Sequence, residues 1–351
     1  IDREIMTEYN SQSSPVQSII IPTWNQKKFL MEAIYSCLKQ SLSSLEVIVY
    51  DDASTDGTDE LIKTVTDERV HYFRSACNNG EGRRWGLNHA RGKYITFLDH
   101  DDYYTDYDFF RKAIAIHEEH EHDGKPLAFV CANARWHNEI TGERRIILQW
   151  PSDRADGIND YILNHNKYIK PLSTFPTVFR ADLLKQAIPE GRSMSDSLLY
   201  LQTAMLGDAW YMPDIVGVYR VHGANESNGV KNNPAYNARY LTATTRFLRT
   251  RKVVRNELYT KADRKLVDRW YTQSTLGTVA FNSRAHSKLK DKLKIYKCVF
   301  REAELTPKQF LILLLNIPKY MLKDSLRKIT PIRKLYRFIK YRLRGRPYLE
   351  D

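Results

Sequence analysis

Residues 94–104 read YITFLDHDDYY: a short apolar run, Tyr94 to Leu98, delivers the chain into Asp99, Asp101 and Asp102. An unbroken apolar run without alternation is the pattern of a strand covered on both faces, as in a parallel sheet. Three carboxylates within four residues at the end of such a strand repel one another, so their placement calls for a partner of opposite charge. The same arrangement occurs upstream. VQSIIIP (residues 16–22) reads as a buried strand and leads into Pro22, Thr23 and Asn25, while LEVIVY (45–50) is a second strand ending at Asp51 and Asp52.

Between these runs the spacing is helical. Leu30, Ile34, Cys37 and Leu38 recur at helical intervals, with Asn25 expected to cap that helix. ASTDGT (53–58) is a turn rich in capping residues, followed by a helix through Leu61, Ile62 and Val65. VHYF (70–73) predicts a third strand, residues 80–90 a helix, 106–119 another helix and LAFVCAN (127–133) a further strand. Residues 140–150 resemble one arm of a hairpin, STFPTVFR (173–180) a strand bent at Pro176, and 195–206 a helix. DIVGVYRVHG (214–223) reads as a strand entering a loop. Alternating strands and helices predict an α/β fold, a mostly parallel, Rossmann-like sheet with helices on both faces. In such sheets ligands bind beyond the carboxyl ends of the strands. Asp51, Asp52, Asp99, Asp101 and Asp102 then share one edge. That edge repels a nucleotide diphosphate unless a hard divalent cation, Mg²⁺ or Mn²⁺, lies between carboxylate and phosphate oxygens.

The 351 residues carry 54 Lys+Arg against 42 Asp+Glu, a net charge of +12. The excess is not spread evenly. Residues 231–351 hold 30 basic and 9 acidic residues (+21), leaving −9 for residues 1–230. An acidic body with a basic tail points to polyanionic partners for the tail, such as a phospholipid surface. Strand signals fade beyond residue 231, where helical patterns dominate with breaks expected at Pro307, Pro318 and Pro331. RKITPIRKLYRFIKYRLRGR (327–346) sets basic residues among Ile, Leu, Tyr and Phe at helical intervals, the pattern of an interfacial anchor. No nucleic-acid-binding motif is present. Cys37, Cys77, Cys131 and Cys298 form no CxxC pair and fit reduced thiols of a cytosolic protein. No uninterrupted apolar run is long enough to span a bilayer, and the N-terminus, which begins at Ile1, shows no signal-peptide pattern. The organisation expected is a flexible segment over 1–16, an α/β domain over 17–230, with halves at about 17–105 and about 106–230, and a basic helical region over 231–351.

Residues 18–58, SIIIPTWNQKKFLMEAIYSCLKQSLSSLEVIVYDDASTDGT, and 82–102, GRRWGLNHARGKYITFLDHDD, resemble the family 2 inverting glycosyltransferases, which have the GT-A fold. The resemblance runs through residues 17–105 and more faintly to about 228. It implies a metal-dependent transferase that moves a sugar from a UDP- or dTDP-sugar to a hydroxyl of a glycan or lipid-linked acceptor in surface polysaccharide synthesis. By position, Pro22, Thr23 and Asn25 match the loop near base and ribose, Asp52 the acceptor of the pyrimidine N3–H, and Arg83 an arginine facing the nucleotide. Asp99 matches the ribose-side and Asp101 the metal-binding carboxylate of the DXD motif. YRVHG (219–223) resembles a late motif, which makes Arg220 a diphosphate contact and His222 a metal ligand. Asp196 in SMSDSLLY is the best match to the catalytic base, although Ser195 replaces the usual acid before it. Gly82 and Arg84 also depart from the family pattern, and the sequence assigns Arg84 no role. Trp85, Tyr103, Trp136, Trp150, Phe175 and Trp210 could line base or acceptor sites, or simply pack. The expected setting is cytoplasmic, on the inner face of the cell membrane. Donor sugar, acceptor, linkage and oligomeric state are not fixed by the sequence, and an oligomer is compatible with it. A non-catalytic nucleotide-sugar-binding module or scaffold subunit is the alternative.

Overall fold

The computed structural model describes residues 9, 14–146, 150–223, 234–285 and 289–327. The chain divides into two compact units, Ile1–Val221 and His222–Asp351.

The first unit is built on one sheet, ordered β3-β2-β1-β4-β9-β6-β10-β5, with β7 paired to β6 and β8 to β10. Its strands are β1 (Gln17–Thr23), β2 (Leu45–Asp51), β3 (Val70–Arg74), β4 (Tyr94–Phe97), β5 (Tyr103–Tyr104), β6 (Leu127–Asn138), β7 (Arg144–Ile146), β8 (Arg154–Ala155), β9 (Thr177–Arg180) and β10 (Asp208–Val221). The pairs β1–β2, β1–β4, β2–β3 and β6–β10 are parallel. β9 lies antiparallel between β4 and β6. Because β9 reverses direction once on each side, β4 and β6 run the same way. The carboxyl ends of β1, β2, β4, β6 and β10 therefore meet at one edge.

Side chains alternate across each strand, so neighbouring residues serve opposite faces. Ile19, Ile21, Val47 and Val49 share a core with Leu30, Ala33, Ile34 and Cys37 of α1 (Lys27–Leu38) and Phe109, Phe110 and Ala113 of α4 (Phe109–Glu119). Ile20 serves the other face, against α3 (Gly82–His89), where a Cβ on Gly86 would lie 2.4 Å from Ile20 Cγ2. Only glycine allows this helix so close to the sheet. Helices accordingly cover both faces. The remaining helices of this unit are α2 (Thr58–Ile62), α5 (Ala181–Ala187) and α6 (Asp196–Thr203), with one π-helical turn at Gly157–Ile162.

Several expectations are corrected. Asn25 does not cap α1: Gln26 takes that position without a side-chain bond, and Asn25 adopts a left-handed φ of 51° while its amide oxygen turns to Thr55. The α2 helix ends at Ile62, before Val65.

The second unit contains α7 (Pro234–Leu258), α8 (Arg264–Ala285), α9 (Leu289–Glu302) and α10 (Pro307–Arg327), packed around Leu248, Val279, Ile295, Val299 and Leu313. Pro307 opens α10, where its missing N–H is harmless, but Pro318 sits inside the helix instead of ending it. Pro331 and most of the basic 327–346 segment lie outside the described residues. Among the described residues no helix is long and apolar enough to cross a membrane.

Candidate active site

At the carboxyl edge of the sheet, two loops are laced together by short polar bonds. Asp51 is buried and shapes the turn after β2, accepting from the Ser54 N–H at 2.8 Å and the Tyr72 hydroxyl at 2.6 Å. The Asn25 N–H donates to Ser54 Oγ at 2.9 Å, and Asn25 Oδ1 accepts from the Thr55 N–H at 2.7 Å. Thr23 lends its carbonyl to the Asp52 N–H at 2.9 Å, while its own buried hydroxyl meets no described hydrogen-bond partner. The Pro22 carbonyl lies 3.1 Å from the His100 ring, which ties the first loop to the DHDD run.

Asp52 is nearly fully engaged. It accepts from Ser75 Oγ (3.2 Å), the Asn79 N–H (2.9 Å) and the Gly80 N–H (2.7 Å), and so draws the 75–80 loop under the strand end. A carboxylate has about four acceptor positions, which leaves roughly one for a ligand donor.

The chemistry centres on Arg83. From the first turn of α3 it donates through Nη2 to Asp99 Oδ1 at 2.7 Å and through Nη1 to Asp196 Oδ1. Asp196 is the first residue of α6, where the helix dipole also favours a carboxylate. One guanidinium thus brings together residues 83, 99 and 196, each placed by a different element. Burial alone would weaken the arginine's hold on its proton, but Asp99 and Asp196 outweigh it and push Arg83 above its ordinary value. For Asp196 burial pushes upward, whereas Arg83 and Lys170 win and hold its carboxyl below the usual range. Lys170 itself is pushed down, by burial first, despite the pull of Asp196. Nothing in the sequence around Lys170 signals this position.

Arg84, one residue on, points elsewhere. It donates to the carbonyls of Ile188 at 2.6 Å and Arg192 at 2.8 Å, in the stretch leading into Asp196. The residue that departs from the family pattern therefore secures the loop before α6.

Asp102 accepts from the Arg220 N–H through Oδ1 at 3.0 Å, and its other oxygen is buried without a described hydrogen-bond partner. Burial, then Asp101 and Asp99, push its carboxyl well above the ordinary value. This crowding is the repulsion anticipated from the sequence. Carboxylate oxygens are the donors a hard cation takes, and Mg²⁺ commonly binds through one or two of them with substrate phosphates completing the shell. The carboxylates of Asp101 and its neighbours are donors of that kind, although no three His, Cys, Asp or Glu among the described residues are placed to hold a metal ion together.

The Arg220 side chain is committed within the protein. Its guanidinium lies 4.8 Å from the rings of both Phe29 and Tyr103, donates to Glu32 Oε2 at 2.5 Å and pairs with Glu139 at 3.5 Å. His222 is buried and begins the second unit, one residue beyond β10. Of the candidate aromatics, Trp85 packs on Tyr50, Phe73 and His89, and Tyr103 lies under Arg220. The Trp150 indole N–H donates to the Ile169 carbonyl at 2.9 Å, Trp210 stacks on His120, Trp136 lies beneath Arg145, and Phe175 is fully buried.

Comparison with known proteins bears on this edge directly, because residues 18–178, which include β1, β2, β4 and the DHDD run, match the family profile described as glycosyl transferase family 2. Over those residues, a little under half of the chain, it is similar to glycosyl transferase family 2. The chain is 44% identical over 93 residues to an uncharacterised glycosyltransferase of Haemophilus influenzae, covering 25% of the chain and 37% of the relative. It spans 29% to 37% of the length of the first three curated relatives it matches. A relative from Campylobacter jejuni, GalNAc(5)-diNAcBac-PP-undecaprenol beta-1,3-glucosyltransferase, aligns over 90% of the chain and 97% of its own length at 24% identity. Among solved structures, Staphylococcus aureus TarS in complex with UDP-GlcNAc superposes with a TM-score of 0.64 at 18% identity, over 95% of this chain and 93% of that one. The likeness establishes the GT-A fold for this chain.

Proposed function

We propose that this protein is an inverting glycosyltransferase that moves a sugar from a UDP- or dTDP-sugar to a hydroxyl of a lipid-linked glycan acceptor at the cytoplasmic face of a membrane. The observation that carries the reading is the single arginine, Arg83, shared by Asp99 and Asp196 at the carboxyl edge of the sheet. It joins the acidic motif that faces the donor to the carboxylate proposed to face the acceptor. The Campylobacter relative acts, by its name, on an undecaprenol-diphosphate-linked glycan, and TarS was solved with UDP-GlcNAc, which supports both the donor and acceptor classes.

The free acceptor position on Asp52 takes the pyrimidine N3–H, and the loop of Pro22, Thr23 and Asn25 lies beside base and ribose. Asp99 accepts from a ribose hydroxyl while its bond from Arg83 holds it in place. The Asp196 carboxylate accepts the proton of the acceptor hydroxyl as that oxygen bonds the anomeric carbon and the sugar–phosphate bond breaks. No covalent enzyme intermediate is needed, because inversion is a single displacement whose main requirement is alignment. Mn²⁺ or Mg²⁺, held by Asp101, would supply charge stabilisation to the departing diphosphate. Arg220 supports this end of the site by donating its backbone N–H to Asp102.

A donor-panel hydrolysis and transfer assay, with and without Mn²⁺, tests the reading. Asp196→Asn should keep donor binding and lower turnover roughly 10²- to 10⁴-fold, and Asp101→Ala should remove the metal-stimulated activity. Full turnover in Asp196→Asn would refute the assignment of the base. Donor binding without turnover in the unaltered protein would instead identify a binding module.

A further inference from the structure

We propose that α9 and α10 present a docking face for an anionic lipid surface. The exposed side of α10 is wholly apolar at its centre. Leu311 and Leu315 are 54% and 61% exposed, and Phe310 and Leu314 join them at 43% and 48%. At 100° per residue these four fall within about 140° of arc. The opposite side, through Leu313, enters the core. A soluble helix normally turns charges to water, so four large apolar residues side by side mark a contact surface.

The stripe continues onto α9. Leu289 and Leu293 are each 55% exposed, and with Phe300 they fall within about 40° of arc on that helix. The Phe300 ring meets Phe310 with centroids 4.8 Å apart, which makes the two stripes one surface. Along its edge α9 exposes Lys290, Lys294 and Lys297, with Asp291 3.8 Å from Lys294 as the nearby acid. Leucines beside a row of lysines is how an interfacial helix inserts its apolar face and lets the amines reach lipid headgroups.

Charge selects among occupants. A second copy paired about a two-fold axis would set these lysines against themselves. The chain's own residues 328–351 carry eight basic and two acidic residues, again of the same sign. A negatively charged bilayer satisfies both the leucines and the lysines. The inference rests on the transferase reading only for where the acceptor lies. Vesicle binding reads no sugar transfer, so either can fail alone.

Co-sedimentation of the full chain with phosphatidylglycerol-containing vesicles and with pure phosphatidylcholine vesicles tests it. The unaltered protein should bind the anionic vesicles and bind the neutral ones at least roughly ten-fold more weakly. Leu311→Ser with Leu315→Ser, and separately Lys290→Glu with Lys294→Glu and Lys297→Glu, should each weaken anionic binding by a similar factor. All these side chains are exposed, so circular dichroism and the melting temperature should stay unchanged. Equal binding to both vesicle types, or undiminished binding by both variants, would overturn the proposal; the latter would assign the contact to residues 328–351. A leucine-to-serine variant that converts an oligomer to a monomer in light scattering, without vesicles, would also overturn it in favour of a second copy.

Discussion

Two neighbouring arginines on one helical turn divide the work of the site. Arg83 reaches Asp99 and Asp196, whereas Arg84 grips the carbonyls of Ile188 and Arg192 in the loop that leads to Asp196. Successive helical residues point about 100° apart, so adjacent arginines can serve separate targets. For the base proposed at Asp196 the Arg83 contact has a cost, because a base held below its usual pKa is a weak one. Removing the arginine should reverse the sign. In Arg83→Met the burial that pushes Asp196 upward is left opposed by Lys170 and a backbone hydrogen bond without the arginine, so Asp196 protonates at higher pH. The acidic limb of kcat, measured at saturating donor, should therefore move to higher pH, with a lower plateau from misalignment of Asp196. An unshifted limb would show that Asp196 is not the group titrating in turnover. Much of this site was legible in the sequence, since Asp99, Asp101 and Arg83 sit in short motifs beside strong strand signals. Asp102 lies in the same run, yet its burial follows from a contact with the β10 backbone that no local pattern encodes. The Glu32–Arg220 pair joins residues far apart in the chain and was invisible for the same reason.

Elements were easiest to read where one physical signal dominated. The unbroken apolar runs of β1, β2 and β4 reflect strands with both faces covered. The short β9 was expected as a strand, but its antiparallel insertion between β4 and β6 was not, because strand order depends on packing between distant segments. The capping role expected of Asn25 lost to a stronger local demand: its left-handed backbone and bond to Thr55 hold the two ligand-edge loops together. The helix α4 carries a further consequence of burial. His117 is 3% exposed, and its Nε2 lies 3.0 Å from the Val178 carbonyl on β9, which fits the neutral tautomer donating there. Burial pushes its pKa from 6.5 down to about 4, with Arg180 and Lys93 acting in the same direction and the Val178 bond and Asp182 opposing. Below pH 6.5 the unfolded chain takes up a proton that the folded chain refuses until about pH 4. Stability should accordingly fall across that window by up to about 3 kcal/mol and level off beneath it. Urea unfolding at stepped pH should show this fall, and His117→Leu should flatten it while leaving the contribution of carboxylates at lower pH. A parallel decline in both proteins would assign the acid sensitivity to other groups.

At the scale of the whole chain, composition already separated two regions, with residues 1–230 at −9 and residues 231–351 at +21. Charge gives no hydrophobic core, however, and the second unit's core could not be read from the weakly patterned α7 and α8. It is made by Leu248 of α7, Val279 of α8, Ile295 and Val299 of α9 and Leu313 of α10, all buried. The first unit has its own core around Ile19, Ile21, Val47 and Val49. Each of these cores lies, among the described residues, within one unit, so a cavity opened in one should be felt chiefly there. Leu313 is fully buried, and truncating a buried leucine to alanine costs about 2–5 kcal/mol. In Leu313→Ala, native-state hydrogen exchange should lose protection by that amount at amides of α7 to α10, while amides of β1, β2 and β4 keep theirs within about 0.5 kcal/mol. Nucleotide binding, proposed here for the first unit's sheet edge, should then survive under conditions where the helical unit has opened. Equal loss of protection in the sheet and in the helices would mean that the chain unfolds as one cooperative body, so that the two cores act as a single thermodynamic unit.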